Sequence, residues 1–400
     1  MRDALLLSAS IGMGHDVMAE ACHQSLQRRG WSTITLDAMG LLGRRKGPAG
    51  ERVFRSMLAV PGLYDAFHFG ALRTGGRLAQ LTGAAASRNI LPRLRRQLDS
   101  RPADLVVSVF STAAAAVSRL HGRYPGMSHV VFCTDATPHR LWIHPHVDLY
   151  LVTSKVAESA VLRFAPNAEV AVVPAPVRSA FYHPPSQAEA RARFGVPADE
   201  RCVLLMSGAW GLGPLADTAT ALASHGLHVF AVSGRNARLE ARLRAAAAQL
   251  ARLYPLGYTD RVPELMAAAD LVITSSGDTC TEARVIGRHL LLLDVVQGHG
   301  RDNLQHELEL GDASVTSARP ADVVRNTLAA LDRIKPPSSG SRPAEFSEAG
   351  WETGFTAALD RIGRGLAAVR GAVGSGQAQP AVAGQHDPGD EAVLDETGYR

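Results

Sequence analysis

Short apolar runs alternate with longer amphipathic stretches along most of the chain. Each run is too short for a helix and ends in glycine or polar residues, which favours a buried strand. Strands that alternate with helices in this way are typical of parallel sheets covered by helices on both faces. The sequence therefore predicts an α/β fold with strands at 33–36, 105–109, 129–132 and 149–152 in the first half and at 203–206, 228–232, 271–274 and 290–293 in the second.

Two glycine-rich loops, one in each half, follow apolar runs of the same kind. Residues 5–15 have the sequence LLLSASIGMGH, and residues 203–213 have the sequence VLLMSGAWGLG. Each pattern predicts a buried parallel strand whose loop amides and following helix N-terminus can face a phosphate, although neither contains a complete G-x-G-x-x-G. The repetition predicts two nucleotide-fold domains with a cleft between them. Only the first loop ends in a histidine, His15, so we expect the two halves to have different roles.

Clusters of proline and glycine divide the chain further. The proline-rich residues 173–185 are the expected connection between the halves. A second cluster at 334–343 precedes a helical pattern at 344–369, which we expect to pack back across the first domain. From about Gly371 the composition becomes rich in Gly, Ala, Gln, Pro and acidic residues, which predicts disorder. The predicted units are a first domain at 1–175, a linker at 176–200, a second domain at 201–335, a helical segment at 336–369 and a disordered tail at 370–400.

Composition narrows the class of protein. With 46% apolar and 20% charged residues, the 400-residue chain can supply cores for two domains. A net charge of +4 is too small to indicate nucleic-acid binding, and no run is long and apolar enough to span a bilayer. The chain enters a strand directly after Asp3, which predicts no secretory signal. The four cysteines lie far apart without metal-ligand spacing, so we expect reduced core thiols in a cytosolic protein.

Residues 44–96 interrupt the alternation of strands and helices. Eleven basic residues in this segment stand against only Glu51 and Asp65, and aromatic and aliphatic residues such as Phe54 and Tyr64 lie between them. Such a mixture suits a surface that rests on an anionic membrane, where each cation contributes about 1 kcal/mol. A solvated basic face over an ordinary helical subdomain has the same composition, so the composition alone leaves both interpretations open.

A polar cluster follows the predicted strand at 129–132. Asp135, His139 and Trp142 lie in this cluster, at the carboxyl end of a parallel strand, where ligand crevices form in such folds. These side chains could orient a hydroxyl group or stack on a sugar ring. The alternative is that Asp135 caps the following turn and Trp142 belongs to the core.

The second half carries the strongest local motif, LVITSSGDTCTEA at residues 271–283. Ser276, Gly277 and Thr279 offer amides and hydroxyls at a helix start, where a phosphate can bind, and Glu282 could accept hydrogen bonds from a ribose diol. The structural alternative for this motif is an N-cap box. Arg235 follows a glycine turn at a strand end and suits a diphosphate, or else is a surface arginine. Downstream, residues 297–303 add the side chains of Gln297 and Asn303 after another strand.

Several other chemistries lack their motifs in this sequence. There is no Asp-x-Asp pair for a metal on a sugar nucleotide, no Walker A run and no G-x-S-x-G elbow. A phosphate would therefore be neutralised by amides, helix dipoles and arginine, which predicts a site without a metal.

Taken in order, these motifs resemble the GT-B glycosyltransferases typified by monogalactosyldiacylglycerol synthase and the processive diacylglycerol glucosyltransferases. The lipid-linked peptidoglycan N-acetylglucosaminyltransferase is a more distant relative. The resemblance runs from Ala4 to about Val315 through the loop ending in His15, Thr134-Asp135…His139…Trp142…Asp148, Pro174-x-Pro176-Val177…Phe181, Gly208…Gly213, Gly234-Arg235-Asn236, Gly257-Tyr258…Leu265-Met266…Asp270, Gly277-x-Thr279-x-x-Glu282 and Gln297…Asn303.

The resemblance implies two Rossmann-like domains whose parallel sheets face a central cleft. It also implies inverting, metal-independent transfer of a hexose from a nucleotide diphosphate, usually UDP, to a lipid hydroxyl at the membrane surface, with no cofactor besides the donor. His15 would be the general base, with Asp135 as its rival. The donor would contact Gly208, Arg235, Tyr258, Ser276, Gly277, Thr279, Glu282, Gln297 and Asn303, and the acceptor Gly14, His139 and Trp142.

The resemblance further implies that the first domain receives the acceptor and that residues 44–96 meet the lipid. The protein would then be peripheral on the inner face of the cell membrane. The donor motif departs from the family, which usually has Lys-Pro-Gly-Gly where this chain has Thr274-Ser275-Ser276-Gly277. A soluble glycosyltransferase of a small natural product and a non-catalytic nucleotide-sugar-binding protein therefore stay open as alternatives.

Overall fold

The first half of the protein is built on a six-stranded parallel sheet. The computed structural model describes residues 2–10, 14–43, 77–208, 213–295, 299–334 and 346–374. The strand order in the first sheet is β2-β1-β3-β4-β5-β6, and every pair of neighbours is parallel. The strands are β1 (Asp3–Ser8), β2 (Ser32–Asp37), β3 (Leu105–Ser108), β4 (Ser128–Phe132), β5 (Leu149–Val152) and β6 (Val170–Val172).

Helices cover both faces of this sheet. They are α1 (Gly14–Arg28), α2 (Ala38–Leu42), α3 (Arg77–Ser100), α4 (Ser111–Leu120) and α5 (Lys155–Phe164). Leu6 on β1 packs towards Cys22 on α1, whereas its neighbours Leu5 and Leu7 pack towards Leu94 on α3. Because successive side chains point to opposite faces and both faces are covered, the strand is continuously apolar rather than alternating.

The second half repeats this architecture with strand order β12-β11-β10-β7-β8-β9. Its strands are β7 (Cys202–Met206), β8 (His228–Val232), β9 (Leu253–Leu256), β10 (Leu271–Thr274), β11 (His289–Leu293) and β12 (Ala313–Thr316). Its helices are α8 (Leu215–Ser224), α9 (Ala237–Ala247), α10 (Val262–Ala268), α11 (Asp278–Ile286), α12 (His299–Glu309) and α13 (Pro320–Arg333), and the connection contains α6 (Ser179–Tyr182) and α7 (Gln187–Phe194).

Two parallel sheets wrapped by helices confirm the predicted α/β class. All eight strands predicted from apolar runs are present, and each agrees with the prediction within one residue at either end. The sequence analysis missed β6, β9 and β12, which are all edge strands. An edge strand buries less surface, so its residues need not form an apolar run; Pro255 in β9 and the exposed Val315 in β12 illustrate this.

The predicted linker is not an extended connection, because α6 and α7 lie within it. Val177, Phe181 and Ala190 are buried in the core of the second half. Ser186 and Glu189 form a reciprocal capping box that begins α7. The connection is therefore packed onto the second half, and the predicted domain boundaries stay predictions.

The last described element is α14 (Glu348–Gly374), which covers the first sheet. Trp351, Phe355 and Ala358 are buried in the core of the first half, and the Trp351 ring stacks on Phe132 with 5.9 Å between centroids. The helix continues past the predicted start of the disordered tail, and the remainder of the tail lies outside the described residues. All four cysteines are buried and unbridged. Within the described ranges, no helix combines the length and the apolarity needed to cross a bilayer.

Candidate active site

The strand orders identify where a ligand can bind. The first sheet changes direction between β1 and β3, because β2 lies on one side of β1 and β3 lies on the other. In the second sheet, the corresponding change lies between β7 and β10. Crevices at the carboxyl ends of strands form at such switch points in parallel sheets. Candidate site residues follow each of these four strands. The loop before His15 follows β1, Val109 follows β3, Gly208 follows β7 and the donor motif at 275–279 follows β10.

His15 is the second residue of α1 and is held against the end of β3. Its Nδ1 lies 2.7 Å from the carbonyl oxygen of Val109, and its ring meets Phe110 edge-on with 5.5 Å between centroids. A carbonyl can only accept, so Nδ1 donates the proton to it. In the neutral ring Nε2 is then the acceptor nitrogen, which is the form that a general base requires. The sequence predicted His15 as the base, but the partner that fixes its tautomer is visible only in the structure.

The two halves touch next to His15. The Asp278 carboxylate, at the first residue of α11, lies against Gly14, and its Oδ1 is 2.8 Å from where a Cβ on Gly14 would stand. Any other side chain at position 14 would collide with it. Asp278 lies against Gly14 on one side and retains exposed surface. Desolvation by the surrounding protein raises the pKa of its carboxyl group, and the nearby His15 opposes this rise. The sequence analysis did not identify Asp278.

The donor motif begins α11 without a capping side chain. Gly277 is the N-cap residue, and its carbonyl accepts a hydrogen bond from the Cys280 amide at 2.8 Å. The side chains of Ser275, Ser276 and Thr279 are buried, and Ser207 Oγ donates to Ser275 Oγ at 3.1 Å. The N-cap box that was the structural alternative is not formed, because glycine has no side chain to supply it. The start of α11 follows the carboxyl end of β10, and a helix start presents amides to which an anion can bind.

Glu282 lies one turn further along α11 and pairs with an arginine from the connection. The distance between Arg178 Nη2 and Glu282 Oε1 is 3.9 Å, and the Glu282 side chain is 12% exposed. Burial raises the pKa of Glu282 to about 8; Arg178 opposes the rise and Asp278 adds to it. The guanidinium of Arg178 also lies over the Phe181 ring, 5.0 Å from its centroid. Sequence reasoning missed Arg178, although it directly follows the Pro174-x-Pro176-Val177 motif.

Arg235 and Tyr258 contact each other at the carboxyl ends of β8 and β9. The Arg235 guanidinium lies 5.0 Å from the centroid of the Tyr258 ring, which is 55% exposed. Gly234 has a φ of 59°, which suits glycine, and its turn places Arg235 beyond the end of β8. The sequence analysis assigned Arg235 to the diphosphate from its position at a strand end, whereas the resemblance gave Tyr258 as a contact of the donor, near its base. Their contact makes one exposed platform that combines an aromatic face with a positive charge.

The predicted acceptor residues form a hydrogen-bonded group in the first half. Asp135 Oδ2 accepts from Trp142 Nε1 at 2.8 Å and lies 3.5 Å from His139 Nε2. His139 Nδ1, rather than Asp135, caps the following turn by accepting from the Leu141 amide. The Trp142 ring is only 2% exposed and packs in the core, as the structural alternative expected. Trp142 would therefore contribute to acceptor binding only indirectly, through the hydrogen bond that its Nε1 donates to Asp135.

The structure describes two of the three remaining predicted site residues, Gly208 and Asn303. Gly208 lies two residues after the end of β7 and has a φ of 59°, a conformation that favours glycine. Asn303 lies on α12, and its Oδ1 is buried without a hydrogen-bond partner among the described residues. Gln297 lies outside the described residues, as does the basic segment from 44 to 76. Among the residues that are described, no group of three or more His, Cys, Asp or Glu side chains could hold a metal ion.

Comparisons with known proteins agree with the predicted resemblance. The family model described as monogalactosyldiacylglycerol (MGDG) synthase matches residues 52–176. The processive diacylglycerol β-glucosyltransferase of Bacillus licheniformis is 24% identical over 332 residues, which cover 79% of this chain and 83% of that protein. The probable chloroplastic MGDG synthase of Nicotiana tabacum is 28% identical over 60% of this chain and 48% of its own length. The relatives are thus glycosyltransferases, which confirms the predicted resemblance and enzyme class.

Solved structures with the same architecture confirm the predicted GT-B fold. The structure of MurG from Acinetobacter baumannii has a TM-score of 0.55 and 16% identity, and it covers 91% of this chain and 100% of its own. The structure of Phytolacca americana UGT2, complexed with UDP-2fluoro-glucose and pterostilbene, has a TM-score of 0.57 and 12% identity over 92% of this chain and 100% of its own. Two facing Rossmann-like halves are therefore the fold of this chain.

Proposed function

We propose that this protein is an inverting glycosyltransferase that moves a hexose from a UDP-sugar to the hydroxyl of a diacylglycerol-type lipid. The observation that carries the proposal is that Asp278, at the N-terminus of α11 in one half, lies against Gly14 of the other half, the residue directly before His15. A base on one side and an anion-binding helix start on the other are the two groups that sugar transfer from a diphosphate needs.

In the proposed reaction, His15 Nε2 takes the proton of the acceptor hydroxyl. The acceptor oxygen forms a bond to the anomeric carbon while the bond from that carbon to the diphosphate oxygen breaks, so the configuration inverts. The UDP oxygen leaves with the bonding electron pair, and the proton stays on the imidazole until solvent removes it. The amides at the start of α11 and the arginines at the donor side stabilise the charge of the leaving diphosphate, so we expect transfer without a metal ion.

We assign the donor to the second half. Glu282 would accept hydrogen bonds from the ribose hydroxyls, and the platform of Arg235 and Tyr258 would support the base. The diphosphate would lie at Ser276, Gly277 and Thr279, with Gly208, Gln297 and Asn303 completing the donor side. The acceptor would enter beside Gly14, His139 and Asp135. The alternative of a non-catalytic binding protein is favoured by one observation, the buried Ser275, which bonds Ser207 in a motif without the family's lysine.

Substitution of His15 tests the assigned role of this residue. UDP-hexoses would be offered with diacylglycerol in mixed vesicles, and both released UDP and the anomeric configuration of the product would be measured. We expect His15→Ala to lower kcat by at least about 100-fold, the usual contribution of a general base, with donor Kd changed by less than about threefold. His225→Ala, which removes an exposed imidazole at the end of α8, is the control. Equal losses in kcat and donor affinity would reassign His15 to binding.

Donor binding without turnover would decide against the transferase. If UDP-hexoses bind but no lipid, small-molecule or water acceptor consumes them, the protein is a nucleotide-sugar-binding protein. Turnover with a soluble small acceptor and none with diacylglycerol would leave the reaction class intact and overturn the lipid acceptor.

We also propose that the protein works as a peripheral protein at the inner face of the cell membrane. Arg88, Arg95 and Arg96 are exposed on α3, at the end of the basic segment that the sequence singled out. Replacing these three arginines by serine should reduce flotation with phosphatidylglycerol vesicles at moderate salt. The control replaces Arg238, Arg242 and Arg244, which are exposed on α9. Equal flotation of both triple variants would remove α3 from the membrane surface, and absence of wild-type flotation would remove the membrane proposal.

A further inference from the structure

Asp278 occupies an unusual position for a carboxylate. It is the first residue of α11, in the motif assigned to a negatively charged diphosphate, where a further negative charge opposes donor binding. Its own helix gains from an acidic residue in the first turn, but such a gain is only about 0.3–1 kcal/mol. The carboxylate is also directed away from its own half, since it rests on Gly14 of the other half.

The position of the carboxylate relates it to the base. Gly14 immediately precedes His15, and His15 is close enough to lower the pKa of the Asp278 carboxyl group, against the larger effect of desolvation. The Nδ1 side of the imidazole is already bonded to Val109. When Nε2 takes a proton, the whole ring becomes positive, and a carboxylate across the gap stabilises that charge.

We propose that Asp278 is a positioning residue that the donor half supplies to His15 of the other half. Its carboxylate stabilises the imidazolium form of His15, so the base is fully effective only where the two halves meet. This inference rests on the function proposed above. It requires that the Asp278 carboxylate lowers the free energy of the transition state, in which His15 is positively charged, and weakens binding of the negatively charged donor diphosphate. The same side chain therefore acts on kcat and on donor affinity in opposite directions.

Asp278→Asn tests the inference because it removes the charge and keeps the shape. We expect kcat to fall by about 10- to 100-fold while the Kd of the UDP-hexose stays the same or becomes up to several-fold tighter. Asp322→Asn is the matched control, because Asp322 also lies in the first turn of a helix of the second half, α13. Its kcat and donor Kd should equal those of the wild type. Thermal unfolding of both variants reports any structural effect.

Gly14→Ala provides a second, independent variant. A methyl group at position 14 would meet the Asp278 carboxylate, with Cγ at 2.8 Å, and would push it away from α1 with its charge intact. We expect a loss of kcat in this variant as well, and we expect the Gly14→Ala/Asp278→Asn double variant to lose less than the product of the two single effects.

Two results would overturn the inference. One is a kcat for Asp278→Asn within twofold of the active wild type. The other is a parallel loss of kcat, donor affinity and thermal stability, which indicates that Asp278 merely supports the fold. An active wild type with either result refutes this inference alone, whereas a wild type without any turnover refutes the proposed function and this inference with it.

Discussion

Glu282→Gln should make this protein more stable at alkaline pH while it weakens donor binding. Glu282 is 12% exposed on α11, and its nearest cation, on Arg178, lies 3.9 Å away. That distance is longer than a hydrogen bond, so Arg178 compensates only part of the cost of burying a negative charge. Glutamine has nearly the same shape and carries no charge. We therefore expect the variant to be more stable than the wild type at alkaline pH, although it lacks a side chain assigned to the ribose.

The magnitude follows from the pKa of Glu282, which burial raises from 4.5 to about 8. One pKa unit corresponds to about 1.4 kcal/mol, so ionising this side chain in the folded protein costs on the order of 5 kcal/mol. Between pH 4.5 and 8 the folded state holds a proton that the unfolded state has released, and wild-type stability falls as pH rises. The advantage of the variant should thus be near zero at pH 4.5, grow across this window and level off above pH 8.

Urea denaturation of both proteins from pH 4.5 to 9 measures this difference. Glu309→Gln is the control, because Glu309 is exposed on α12 and its substitution should leave the pH dependence unchanged. Calorimetric titration with UDP at pH 9, where Glu282 is ionised, should show binding to Glu282→Gln weakened by about tenfold, the loss of one charge-assisted hydrogen bond. A variant that is less stable than the wild type at every pH would refute the reasoning, since Glu282 would then be a stabilising partner of Arg178.

Three further predictions concern stability. Burial lowers the pKa of His144 to about 4, so the unfolded state binds a proton there that the folded state does not. The urea-measured stability of the wild type relative to His144→Asn should therefore fall by up to about 3 kcal/mol as pH drops from 6.5 to 4, and a pH-independent difference would contradict this. Trp351→Ala should cost about 3–5 kcal/mol in the same assay, because the ring is buried against Phe132; a loss below 1 kcal/mol would mean that α14 does not pack there. Arg191→Met should cost a similar amount because it removes the cation that lies 2.7 Å from the Asp270 carboxylate, and Arg191→Met/Asp270→Asn should recover much of this stability. Equal losses in the single and the double variant would contradict this prediction.

The central strands of both sheets were predictable because they are buried on both faces. Full burial demands apolar residues at every position, so a strand such as β10 produces a run that no other element matches. The edge strands β6, β9 and β12 were not predictable for the opposite reason. Their residues face solvent in part, and a pattern that includes Pro255 resembles a loop.

The candidate site divides in the same way. His15, Gly277 and Glu282 lie at or near the start of helices that follow central strands after short loops, so their position at the carboxyl edge could be inferred from sequence. Arg178 and Asp278 could not, because their partners are distant in sequence: Arg178 meets Glu282 from the connection, and Asp278 meets Gly14 from the other half. The burial of Trp142 was an alternative that the sequence left open, since an indole serves equally in a core and on a sugar.

By itself, the sequence determined the class of fold, the repetition of a strand and glycine loop in each half, and the chemical groups at the strand ends. These properties depend on periodicity and on neighbours along the chain, which a sequence contains directly. The tertiary structure alone decided which carboxylate faces His15, which nitrogen of its ring carries the proton and how strongly Glu282 holds its own proton. Those properties depend on desolvation and on charges a few ångströms away, and it is the packing of the two halves that brings such charges together.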